Sequence, residues 1–183
     1  MSIKELVKEK QGEYYTSNSR SFLFKTAQKN ECAEQINQNF SMSDLIRTTI
    51  YQIPGTNIVF FDYPLFKTYA IPTIYPSIIQ TILELFTEII NDYGSYQVHV
   101  NLDTFSMSAA YRYSDIIRNF CQKCLRSETR YANYTENFCI YNTPAVMQSI
   151  SKMFNPLINE NVKNRIELID KKESENRLKQ LFA

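Results

Sequence analysis

Asn137-Phe-Cys-Ile-Tyr-Asn-Thr-Pro144, running into Ala145-Val-Met-Gln-Ser-Ile-Ser-Lys-Met-Phe154 and Asn155-Pro-Leu-Ile158, is the stretch on which the fold turns. Phe138 to Tyr141 are residues that favour a pleated strand. Pro144 then opens a new element, and Val146, Met147, Ile150, Met153 and Phe154 recur at helical spacing. A strand followed directly by an amphipathic helix is half of a β-α-β unit, so the same rhythm is sought on either side.

Upstream, Tyr96-Gln-Val-His-Val-Asn-Leu102 alternates as a strand, and Ser106 or Ser108 can cap a helix running through Ala109, Tyr113, Ile116, Ile117, Phe120 and Cys124. Before it, Ile78, Ile79, Ile82, Leu83, Leu85, Phe86, Ile89 and Ile90 mark a helix from Pro76 to Asp92, stopped by Gly94. Arg47 to Ile53 and Asn57 to Asp62 read as two strands of a hairpin around Pro54-Gly55, where glycine accepts the positive φ of a type II turn. Pro64 to Pro76 carries three prolines and reads as a loop. Downstream, Arg165 to Ile169 reads as an edge strand and the charged tail to Phe182 as a short amphipathic helix. The expected fold is therefore α/β, with residues 41–183 as one domain and residues 1–40 as an N-terminal arm or helical remnant. In that arm Phe22, Leu23 and Phe24 are the one dense apolar cluster.

Composition narrows the functions. Twenty basic residues nearly balance nineteen acidic ones, so the chain has no field that would select nucleic acid. Glycine occurs only at positions 12, 55 and 94, which rules out the Gly-rich turns of Rossmann and P-loop sites. His99 is the one histidine, in mid-strand, with no nucleophile elbow to go with it. Cys121-Gln-Lys-Cys124 falls late in a helix, where the dipole does not lower a thiol pKa, and no second ligand pair completes a zinc site. The residues thus point to no catalytic group, no metal and no cofactor. Met1 to Lys10 lacks an apolar signal core, so the expectation is a cytoplasmic protein with reduced thiols.

What remains is apolar, and there the chain resembles the CRAL-TRIO family of phosphatidylinositol and retinaldehyde transfer proteins. The resemblance rests on the strand ending in Asn142-Thr-Pro144, the helix after it, Asn155-Pro-Leu-Ile158, and Asn161-Val-Lys-Asn-Arg165-Ile. Val100-Asn-Leu-Asp-Thr-Phe-Ser-Met-Ser108 is similar to the family's Asp-Leu-x-Gly-x-Ser-x-Ser helix start, without the glycine. The similarity spans roughly residues 57–182.

The resemblance implies a mixed sheet with helices on one face and a gate helix, Ala145 to Ile158, over a hydrophobic pocket on the other. It implies non-catalytic binding of one phospholipid or other hydrophobic molecule, and its transfer during transient contact with a membrane. The pocket wall expected from it is Phe60, Val98, Val100, Ile140, Met147, Ile150, Met153, Phe154, Leu157 and Ile158, with Arg165 as headgroup candidate. Asn133, Tyr134 and Val162 stand where phosphoinositide-binding members carry Glu, Arg and Thr, and Tyr96 and Val98 stand where others carry Ser and Thr. The helical domain that precedes the module is at most a remnant within residues 1–40, and the family's Leu-Pro-x-x-x-Gly-Gly close is absent from the chain. The alternative is a protein-interaction module on the same scaffold, engaging a small GTPase or trafficking partner without a ligand.

Overall fold

The computed structural model describes residues 1–18 and 25–183, so the Phe22 to Phe24 cluster lies outside the described residues. Two N-terminal helices, α1 (Ile3–Ser17) and α2 (Lys25–Asn39), dock on the rest of the chain. Asn37 donates to the Tyr69 carbonyl at 2.7 Å, and Lys4 reaches the buried Asp62 carboxylate at 2.5 Å. Helix α3 (Met42–Thr49), capped by Ser41, leads into β1 (Ile50–Gln52) and the β2 strand (Ile58–Asp62). The residues expected to form one strand from Arg47 therefore stay helical to Thr49. Gly55 takes φ +74° in the hairpin turn, as its place after Pro54 requires.

The proline-bearing segment after β2 is helix α4 (Tyr63–Tyr69), not a loop. Pro64 sits in its first turn, where a missing N–H costs nothing. Helix α5 (Tyr75–Tyr93) ends at Gly94, whose φ of +80° supplies the left-handed stop. β3 (Tyr96–Asn101) follows, then α6 (Met107–Arg112), capped by Ser106, and α7 (Ser114–Phe120), which passes into a π-turn over Cys121–Leu125. A short α8 (Arg130–Tyr134) precedes β4 (Thr135–Tyr141). Then come α9 (Met147–Phe154), α10 (Glu160–Lys163), β5 (Ile166–Leu168) and α11 (Lys171–Leu181).

The strands form one sheet in the order β1-β2-β3-β4-β5, with β1 antiparallel and the other four parallel. Register assigns the faces, because partners in a parallel ladder point the same way. Val59, Val98, Phe138 and Ile166 form one row, and Phe61, Val100, Ile140 and Leu168 the next row on that face. The opposite face carries Phe60, His99, Cys139 and Glu167.

The sheet is mixed and layered with helices, as expected, but the helices divide between its faces differently. Four parallel strands laid side by side in chain order, joined by right-handed crossovers, put every connecting helix on one side. Phe86 of α5 stacks on Tyr96 at 4.2 Å, Phe120 at the end of α7 meets Phe138 at 6.4 Å, and Arg118 of α7 lies over the Phe154 ring of α9 at 5.9 Å. Helix α9 thus shares the face of α5 and α7. The other face is met by α11, where Phe182 stacks edge-on against Phe60 at 4.9 Å and Arg177 pairs with Glu167 at 2.5 Å.

Around Tyr96 the buried polar atoms have partners. The Tyr96 hydroxyl accepts from Thr135 at 2.7 Å and donates to the Tyr131 carbonyl at 3.2 Å. Replacing Phe86, which is buried against that ring, with alanine is expected to lower the unfolding free energy by about 3–5 kcal/mol in urea titration. Tyr111→Ala, at a 65% exposed side chain, is expected to stay within about 0.5 kcal/mol of the parent.

Candidate functional site

Face A of the sheet, the one carrying α5, α7 and α9, is unevenly covered. Val59, Val98 and Phe138 are buried. One row nearer the carboxyl ends of the strands, Phe61, Val100 and Ile140 are only half-buried, although β3 and β4 are interior strands, and Leu168 on β5 is 49% exposed. Half-buried Leu102, Met107, Ile117, Met153, Leu157 and Ile158 pack around the same core. The result is a strip of apolar sheet with its centre unsealed. Carboxyl ends of parallel strands are where open α/β sheets bind ligands.

The expected wall residues divide. Val98, Val100 and Ile140 point to this face, and Met147, Ile150 and Phe154 of α9 are buried in the same core, with Met153, Leu157 and Ile158 half-buried beside them. Phe60 does not join them. Its register partners are Tyr51 and His99, and its ring meets those of Tyr51 and Phe182. Leu102, Met107 and Ile117 belong to the strip and were missed; as isolated apolar residues they carry no signal apart from core positions.

Arg165 lies at the other end of the sheet. Its guanidinium donates to the Thr135 carbonyl, at a surface pocket of about 370 Å³ lined by Gly94, Ser95, Asn133, Tyr134 and Glu136. Asn133, Tyr134 and Arg165, far apart in sequence, therefore do meet. Hydrogen bonds from Ser95 and Asn57 hold the Glu136 carboxyl below its usual range, so a carboxylate shares this pocket with the Arg165 guanidinium and offsets its attraction for an anionic head. A second pocket, of about 230 Å³, opens between α1 and α2 beside Tyr14 and Cys32 and is separate from the sheet.

The titratable groups are quiet. Cys121 and Cys124 are free and buried, and burial pushes both thiols up to about 12. Cys139 is pushed up to about 11, first by burial and then by Glu167 beside it. On the α11 face, His99 Nδ1 and the Tyr141 hydroxyl lie 2.8 Å apart, and Nε2 is buried with no partner among the described residues. Burial holds this imidazole down at about 4, so it is neutral at pH 7 and poorly placed to take a proton. Among the described residues no group of His, Cys, Asp and Glu could hold a metal, and no helix is long and apolar enough to cross a membrane.

The CRAL/TRIO domain family matches residues 77–183, from the start of α5 through α9 to the end of α11. The chain belongs to that family. A search of curated proteins finds no match. CRAL/TRIO domains are generally binding domains for lipids and other hydrophobic ligands.

Because His99 folds with a depressed pKa, the unfolded chain binds its proton first as the pH falls. Stability from this group is complete above about pH 6.5 and is lost toward pH 4, at up to about 1.4 kcal/mol per pH unit. An NMR titration of the His99 ring is expected to show a midpoint well below 6, and His99→Gln is expected to flatten the acid limb of the stability profile. A midpoint near 6.5 would mean that the ring is solvated.

Proposed function

We propose that this chain binds one hydrophobic molecule, without covalent chemistry, between the sheet and α9, and carries it between membranes. The half-buried row Phe61, Val100 and Ile140 is the observation that carries this reading. A sheet that served only as scaffold would have its central rows sealed, as Val59, Val98 and Phe138 are.

The gate is α9 with the segment behind it. This helix buries only Met147, Ile150 and Phe154, has no side-chain cap at its N-terminus, and runs into Pro156. Each buried side chain contributes about 1.5–3 kcal/mol, so freeing all three costs on the order of 5–9 kcal/mol. A chain of ten methylenes gains about 8 kcal/mol on burial, enough to take over those contacts but not to leave α9 stranded in water. In this account the helix moves outward and repacks on the ligand, and contact with a membrane supplies the apolar surroundings for exchange.

In the same account the wall is Val98, Val100, Ile140, Met147, Ile150, Met153, Phe154, Leu157 and Ile158. Phe60 and Arg165 take other duties, Phe60 seating α11 and Arg165 tying β5 to the start of β4.

Native mass spectrometry after incubation with mixed liposomes tests the proposal. One bound lipid per chain is expected, reduced at least tenfold by Met153→Asp, a half-buried position whose change leaves the buried core intact. A mass that stays free of ligand would contradict lipid carriage and turn attention to the interaction-module reading.

A further inference from the structure

The shape of the unsealed strip restricts what can lie in it. Toward the amino ends of the strands the way is closed by Val98 and Phe138, then by the stack of Phe86 on Tyr96, with Tyr131 at 6.0 Å from Phe86. The Tyr96 hydroxyl has its partners, so nothing polar there awaits a ligand. On β2, β3 and β4 one row of side chains is left open, a width of two residues or about 7 Å along the strands, and at the β5 edge Ile166 of the next row is half-buried as well. The row crosses from β2 to β5, three strand spacings or about 14 Å. At the β2 end it is blind, because Phe61 meets Phe66 at 5.2 Å, and Tyr63, Phe105 and Tyr113 extend that aromatic wall. At the β5 end it is open, where Leu168 is 49% exposed.

Resting on the binding reading above, we infer that the ligand is a single-chain amphiphile of the fatty-acid or fatty-alcohol kind. Its tail lies across the strands toward Phe61, and its head stays in water at the β5 edge. A channel one row wide takes one hydrocarbon chain. The floor offers carbon alone, through Phe61, Val100, Ile140 and Leu168, so a head drawn inward would lose its hydration without compensation. A two-chain phospholipid would need a second channel where Phe138 and Tyr96 now sit.

The test compares one fluorophore on two carriers, a free fatty acid and a two-chain phosphatidylcholine offered in phosphatidylcholine vesicles. Saturable one-to-one binding of the fatty acid, with no extraction of the phosphatidylcholine, is expected. Val100→Trp fills the floor at a half-buried position and is expected to weaken fatty-acid binding at least tenfold while circular dichroism and the urea midpoint hold. Ile140→Trp is the second variant should the first fail to fold. Extraction of the two-chain lipid as readily as the single-chain one would overturn the inference and leave lipid binding standing. Binding of neither carrier would sink both. Unchanged affinity in a folded Val100→Trp protein would show that the tail lies elsewhere.

Discussion

The parallel register of β3 against β4 is the constraint from which the rest follows. It sends Tyr96, Val98, Val100, Phe138 and Ile140 to one face and His99, Cys139 and Tyr141 to the other. Slipped by one residue against β4, β3 would bury His99 under α5 and α7 and turn Val98 and Val100 toward α11. The chemistry of the two faces is therefore decided by a two-residue period. One face is hydrocarbon and aromatic ring. The other is a polar row sealed by a C-terminal helix that anchors through Ser174, the Asp170 cap and the Arg177–Glu167 pair.

On the hydrocarbon face, packing is graded along the strands. At the amino end, aromatic rings interlock and their hydroxyls are satisfied, so that half is rigid core. Toward the carboxyl end the rows lose cover, and in the proposed account the short α9, with its proline-bearing exit, is the part that moves. The thiols buried on this face, Cys121 and Cys124, are pushed up to about 12 and stay protonated.

Much of this was legible in the residues. The helical spacing of Ile78 to Ile90 and the alternation of Tyr96 to Leu102 place α5 and β3 within a residue or so. The Asn142-Thr-Pro144 turn and the helix after it identify the family that residues 77–183 match. What could not be read depended on register or on distant partners. Ile58 to Phe61 is a continuous apolar run, so nothing local says that Phe60 faces α11 while Phe61 faces the strip. Pro64 reads as a breaker until one sees it in the first turn of α4. Half-burial of Val100 and Ile140 depends on how far the α7 and α9 helices extend over them, which no local pattern encodes.

The most direct test of the central claim, that the open row on the α9 face receives the hydrocarbon, is methyl NMR with a spin-labelled fatty acid. The account predicts paramagnetic broadening at Val100, Ile140 and Met153, with Val7 and Leu45, buried at the N-terminal end of the core, left sharp. Broadening centred on Leu178 and Leu181 beside Phe60, or on no methyl group at all, would contradict it.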